Sequence, residues 1–391
     1  MENELFKNLK AKKEDFEINF ETDAKKKDEN QKENDLKKVD LKKTGNEILL
    51  ADILEAALDF GASDIHFATD EKIAFRINGE IVFVKNFPPL SKENAEKMAF
   101  SLLRSDHQRE ILQKTRELDT AYEHLDGTSF RVNLYFKRNR IAAALRVIAS
   151  EPWTMEDLGI PIGIKKLISS RQGLLLVTGP TGSGKSTSMQ SMLEHINETR
   201  VEHILTIEDP IEFIFESKKS IFSQREIGAD TLSFKNSLRA ALREDPDIVM
   251  IGEMRDAETI MAAMNLAETG HLVISTLHTS GAPQTISRII NAFPPDEQYN
   301  VQNRLADSLI GVLSQRLVRR ADRKGRLAIF ELMIVDGAIR NIIRTNDLGQ
   351  LPNAIMAGKR SGMVLMEHYA RALEEKGIIR EEDYIHFFRE E

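Results

Sequence analysis

Residues 173–187 read GLLLVTGPTGSGKST, an apolar run that breaks into a glycine-rich turn and ends in Lys-Ser-Thr. Residues 174–177 carry no polar side chain and predict a buried strand. The loop proper, Gly179, Pro180, Thr181, Gly182, Ser183, Gly184, Lys185, Ser186 and Thr187, matches G-x-x-x-x-G-K-[ST]. Its glycines let the backbone turn so that several N–H groups point inward at a polyphosphate. Lys185 is then placed to reach the β- and γ-phosphates, and the Ser186 hydroxyl to meet Mg²⁺. A helix predicted over 189–197 adds its positive end to the same anion. Strand, loop and helix in that order predict a nucleoside triphosphate with Mg²⁺ as the ligand.

Downstream, LLLVTG (174–179) is followed by HILTIED (203–209), DIVMIG (247–252) and HLVISTL (271–277), with helical patterns between them. That alternation predicts an α/β fold: a parallel sheet with helices on both faces and ligands at the carboxyl ends of the strands. Glu208 ends the second strand, and Glu253 follows the third beyond Gly252. A carboxylate so placed can polarise an attacking water or hold Mg²⁺ through one. Asp256 suits a helix cap instead. His271 and His278 bracket the fourth strand. From the residues alone, each is as readily a satisfied structural histidine as a functional one. Seven residues apart and without cysteine partners, they make no zinc pair.

Upstream, residues 47–148 read as a separate α+β domain of short alternating runs and three helical stretches, with Asn78-Gly79 as a hairpin turn. Residues 149–163 hold two prolines and little periodicity and read as a linker. The main domain then spans 164–335, and 336–391 is wholly helical in pattern. Residues 1–46 carry twelve lysines against twelve acids with few apolar residues, the composition of a disordered or loosely helical tail.

Across 391 residues the hydrophobic fraction is 41%, the charged fraction 30% and the net charge −8. These values fit a soluble protein of two or three domains, and the net acidity predicts no nucleic-acid partner. The chain contains no cysteine, which removes disulfides, thiol nucleophiles and cysteine-built zinc sites. No run approaches the roughly 20 apolar residues of a membrane span, and the N-terminus is charged, so a cytoplasmic location is expected.

GPTGSGKST, ILTIEDPIEF, LREDPDIVMIGEMRD and AETGHLVISTLHT, together with GASDIHF (61–67), resemble the type II secretion and type IV pilus ATPases, as Walker A, Asp box, Walker B and His box in order. The resemblance runs from residue 61 to the C-terminus. It implies a RecA-like ATPase domain preceded by a small PAS-like domain, assembled as a homohexamer whose ATP lies between the two domains. It also implies that Glu253 is the general base, that Glu208 assists with water or Mg²⁺, and that His271 and His278 report on the γ-phosphate. Arg131 and Arg146 lie on adjacent strand-like runs, where arginines are ordinarily solvated. By resemblance they reach ATP from the N-terminal domain and neutralise transition-state charge. Arg138 and Arg140 read as surface charges.

Within the family the chain is similar to the pilus-retraction motors. It cannot hold the tetracysteine module typical of assembly and secretion ATPases, and only a tail-like segment precedes the fold. AIRNIIR (338–344) also matches a retraction-associated signature, apart from Thr345 where that signature has glutamate. In this stretch Ile339, Ile342 and Ile343 share one helical face. Arg340 and Arg344 share another, and are expected to couple hydrolysis to an acidic partner. The implied partners are an inner-membrane pilus platform protein and a paralogous retraction ATPase, with the motor peripheral at the inner-membrane base of the pilus. Two other readings compete: a conjugative secretion ATPase or DNA translocase, and a paralogous subunit that binds ATP mainly as a scaffold.

Overall fold

In the computed structural model, which describes residues 49–77, 80–84, 88–148, 153–322, 325–382 and 384, the first apolar periodicity is a helix. Helix α1 (Leu50–Asp59) buries Leu50, Ile53, Leu54 and Ala57, and Gly61 follows at φ 65°, a left-handed position that glycine takes without strain. Next come strands β1 (Asp64–Ala68), β2 (Ala74–Ile77) and β3 (Glu80–Phe83), then helices α2 (Lys92–Ser101) and α3 (Asp106–Thr115). Ser91 and Ser105 start these helices by accepting from the N–H three residues on. Strands β4 (Glu117–Glu123), β5 (Ser129–Lys137) and β6 (Arg140–Val147) complete an antiparallel sheet, ordered β3-β2-β1-β6-β5-β4 among the described residues. The Asn78-Gly79 turn and the predicted tail lie outside those residues.

One face of this sheet packs Ile65, Phe75, Phe130, Val132 and Leu145 against α1 and α2. On the other face polar residues sit side by side across four strands. Arg131 faces Arg146, Arg146 faces Asp64, and Asp64 faces Arg76.

The second sheet grows around the run quoted first. Helix α4 (Ile164–Ile168) leads into β7 (Gly173–Thr178) and α5 (Lys185–Thr199). These are followed by β8 (His203–Glu208), β9 (Ile221–Glu226), α6 (Phe234–Ala241), β10 (Ile248–Ile251), α7 (Ala257–Glu268) and β11 (Leu272–Leu277). Then α8 (Ala282–Ile290), α9 (Pro295–Ser308), β12 (Leu309–Arg319) and β13 (Arg326–Ile334) complete the order β13-β12-β7-β11-β10-β8-β9, in which only β13 runs antiparallel. The four predicted strands form its centre. Two of the other three escape the sequence pattern for physical reasons. β9 is an edge whose IFSQRE mixes polar and apolar residues, and β12 follows α9 at Leu309 with no turn residue between them.

The sheet core also takes in segments that composition set apart. Met155 and Ile160, within the predicted linker, are buried in it, so the chain from residue 153 onward packs as part of this domain. After β13 come α10 (Gly337–Thr345), α11 (Leu351–Ala357) and α12 (Met366–Glu374), and Ile339, Ile343, Leu351 and Ile355 join the same core. No described helix is long and apolar enough to cross a membrane.

Candidate nucleotide-binding cleft

Parallel strands β7, β11, β10 and β8 end nearly flush. Thr178 lies opposite Leu277, and Ile251 lies between Ser275 and Ile207. Whatever follows each strand therefore collects along one edge of the sheet. After β7 the loop turns through Gly179, Gly182 and Gly184 at φ 150°, 74° and 87°. At Gly179 a Cβ would stand 2.2 Å from the Gln315 carbonyl oxygen and 2.6 Å from Ser183 Oγ, so the loop presses on β12 in a way only glycine permits. The Gln315 side chain ties the loop down further by donating to the Ser183 carbonyl at 2.7 Å.

Helix α5 starts at Lys185, four residues before the predicted start, because Gly184 caps it in the left-handed region. Its first-turn N–H groups have no acceptor within the helix. Lys185 Nζ donates to the carbonyls of Gly179 at 2.8 Å and Pro180 at 3.0 Å. Burial pulls its pKa down, opposed by the charges of Glu253 and Glu212. Ser183 Oγ is buried with no hydrogen-bond partner among the described residues. An unpartnered hydroxyl, a buried cation and a glycine cradle are what a phosphate group satisfies.

Glu208 is buried at the end of β8. It accepts from Thr206 Oγ1 at 2.6 Å and lies near the Glu212 N–H at 3.5 Å, while burial pushes its carboxyl up to about 7. The Gly252 N–H donates to the Ile207 carbonyl at 2.8 Å, which sets Glu253 beside it. Glu253 is half-buried, ion-paired with Arg255, and its Oε2 lies 3.4 Å from His278 Nε2. Asp256 caps α7 through the Thr259 N–H at 2.8 Å, as its position predicted.

The opposite wall comes from the six-stranded sheet. Arg131 and Arg146 both line the cleft, which holds about 800 Å³ between the domains together with the loop residues, Glu208, Glu253 and His278. Arg131 Nη1 meets Glu212 Oε1 at 3.0 Å, and Arg146 Nε meets Asp64 Oδ1 at 2.8 Å. Arg138 and Arg140 stay outside it, the first in a turn and the second paired with Asp70 on the surface. Arg255, Glu212, Gln315 and Trp153 belong to the site or its support, yet nothing in their spacing singles them out.

Two expectations need correction. His271 does not reach the cleft. It precedes β11 whereas His278 follows it, and seven extended residues separate them by about 23 Å across the sheet. Its Nδ1 lies 3.0 Å from the Leu266 carbonyl, and its own carbonyl accepts from Gly173 N, a structural arrangement at the far edge. Arg340 and Arg344 are not presented outward as a free pair. Arg340 Nε donates to the Ala306 carbonyl at 2.9 Å and Arg344 pairs with Asp307, both on the last turn of α9, where helix carbonyls lack intrahelical donors. Ile339 and Ile343 are buried beside them and Ile342 half-buried.

A family model described as type II/IV secretion system protein matches residues 41–379. A twitching motility protein of Neisseria gonorrhoeae is 45% identical over 78% of this chain and 82% of its own length. The type IV pilus retraction ATPase PilT of Pseudomonas aeruginosa is 42% identical over 85% of this chain and 96% of its own. A crystal structure of the pilus retraction motor PilT with bound ADP superposes with a TM-score of 0.80 at 43% identity, covering 87% of this chain and 97% of that one.

Proposed function

The chain belongs to the type II/IV secretion system protein family, and on that premise we propose that it is an ATPase motor that drives retraction of type IV pili. The observation that carries this reading is the meeting of the glycine loop, Glu253 and two arginines of the other domain in one cleft. In this reading the loop N–H groups and Lys185 bind the β- and γ-phosphates. Glu253 takes the proton of the attacking water, with His278 and Arg255 fixing its carboxylate. Arg131 and Arg146 offset the charge that spreads over the γ-phosphoryl oxygens in the transition state. Ser186 and, through water, Glu208 are the groups that would hold Mg²⁺, which supplies charge neutralisation between the phosphates. Few protein ligands suffice for it, since Mg²⁺ keeps waters and binds substrate phosphates.

The absence of cysteine and the AIRNIIR stretch favour retraction over assembly within the family. The motor is read as a homohexamer at the cytoplasmic face of the inner membrane, acting on a platform protein and alongside a paralogous ATPase. The test is a deletion strain. Lost twitching with retained, excess surface pili supports retraction, and lost pili indicates an assembly motor. Phosphate release by the purified protein, compared with Glu253→Gln, separates an enzyme from an ATP-binding scaffold, which shows no turnover in either form.

A further inference from the structure

Glu226, the last residue of β9, has 1% of its side chain exposed, and its two oxygens meet groups from both domains. Oε1 accepts from Gln108 Nε2 at 3.1 Å and Thr120 Oγ1 at 3.0 Å, on α3 and β4 of the N-terminal domain. Oε2 accepts from the Ile211 N–H at 3.2 Å and stands 3.6 Å from Arg104 Nη1. Gln108 and Thr120 are themselves buried and joined at 2.9 Å, and Gln108 Oε1 accepts from the Arg104 N–H at 2.8 Å. Three of these groups lead to the cleft. Thr120 precedes Ala121, the cross-strand partner of Arg131. Ile211 precedes Glu212, which holds the Arg131 guanidinium. Glu226 itself lies opposite Glu208 across β8 and β9.

We propose that Glu226 is a positioning residue that fixes the seat of the N-terminal domain and thereby holds Arg131 over the phosphate site. The inference rests on the reading of the cleft given above. A buried carboxylate is tolerated only where donors surround it. Donors from two domains converge on Glu226 in one docking geometry, and hydrogen bonds weaken steeply when that geometry shifts, unlike apolar contacts. Both oxygens face donors, so an amide at this position must turn its NH₂ either toward the Gln108 NH₂ or toward the Ile211 N–H and Arg104, none of which can accept. Glu226→Gln, although isosteric, therefore damages the junction.

The experiment uses the full chain and reads turnover at saturating ATP, affinity for fluorescent ADP and melting temperature. Glu226→Gln and Thr120→Val are expected to lower turnover at least about tenfold through misplacement of a catalytic group, with ADP affinity within about twofold of wild type. Thr120→Ser, which keeps the hydroxyl, restores turnover. Adding Arg131→Ala to either variant costs little more than Arg131→Ala alone, because both act through one group. Losses that multiply, or full turnover in Thr120→Val, overturn the inference while leaving the cleft reading intact. Wild-type turnover in Arg131→Ala overturns both. If Glu226→Gln fails to fold, Thr120→Val and Thr120→Ser carry the test.

Discussion

The seven-stranded sheet presents its share of the cleft from the loops and residues at its strand ends, whereas the six-stranded sheet presents arginines from one of its faces. On the first wall, Lys185, Glu208, Glu253 and His278 owe their places to register within one sheet, which is set by local hydrogen bonds and an apolar core. On the second, Arg131 and Arg146 stand in a row of polar residues whose register says only that they are neighbours. Their distance from the phosphate loop depends on how one domain seats on the other. One wall is made by folding and the other by docking, so damage to each should have a different kinetic signature.

Loss of Lys185 on the first wall should have the largest effect. Lys185→Ala removes a buried cation aimed at the phosphates, so nucleotide binding and turnover both fall below detection. Binding of fluorescent ADP checks this. Glu253→Gln should leave ADP affinity near wild type and lower turnover by about 10²–10⁴-fold, the range of a lost general base. Near wild-type turnover would instead move the base to Glu208. Arg131→Ala, on the second wall, should lower turnover by roughly 10³-fold with little change in affinity, since charge stabilisation is needed mainly in the transition state. An equal loss of affinity would mean that docking also builds the ground-state site, and the contrast between the walls would fail.

A smaller effect is expected from pH. Burial raises the Glu208 carboxyl to about 7, so it gains a proton as pH falls through that value. If its charged form holds water or Mg²⁺, turnover drops up to tenfold per pH unit below 7, and Glu208→Gln flattens the profile. Stability moves the other way. A raised folded pKa contributes stability that is complete below about 4.5 and lost as pH rises through about 7. Thermal melts across pH 4–8 for the wild type and Glu208→Gln read that opposition directly. The smallest effect belongs to Arg340→Ala with Arg344→Ala, far from both walls. Loss of the α9 contacts should cost about 1–2 kcal/mol of stability and leave ATPase activity within a fewfold. Twitching then tests whether that helix also couples to a partner.

The contrast between the walls explains how much of the molecule could be read from the chain. A strand, a glycine loop and a helix are contiguous, so GLLLVTGPTGSGKST announced both fold and ligand. Glu208 and Glu253 were legible because each follows an apolar run directly. Gln315 and Glu226 were not, because what matters in each is a contact made across more than a hundred residues. His271 shows the converse error. The family resemblance gave it a role shared with His278, but an extended strand carries its two ends to opposite edges of a sheet.

The two apolar clusters that fill the domains share no residue. The contacts described across their boundary are a carboxylate with its donors and an Arg–Glu pair. In mechanical terms the molecule is two stiff blocks held by a latch. Separating packed hydrocarbon exposes it to water at a cost that grows with every square ångström. Parting polar groups instead lets water take over their hydrogen bonds one at a time. Under load the chain should therefore part at this seam before either block deforms.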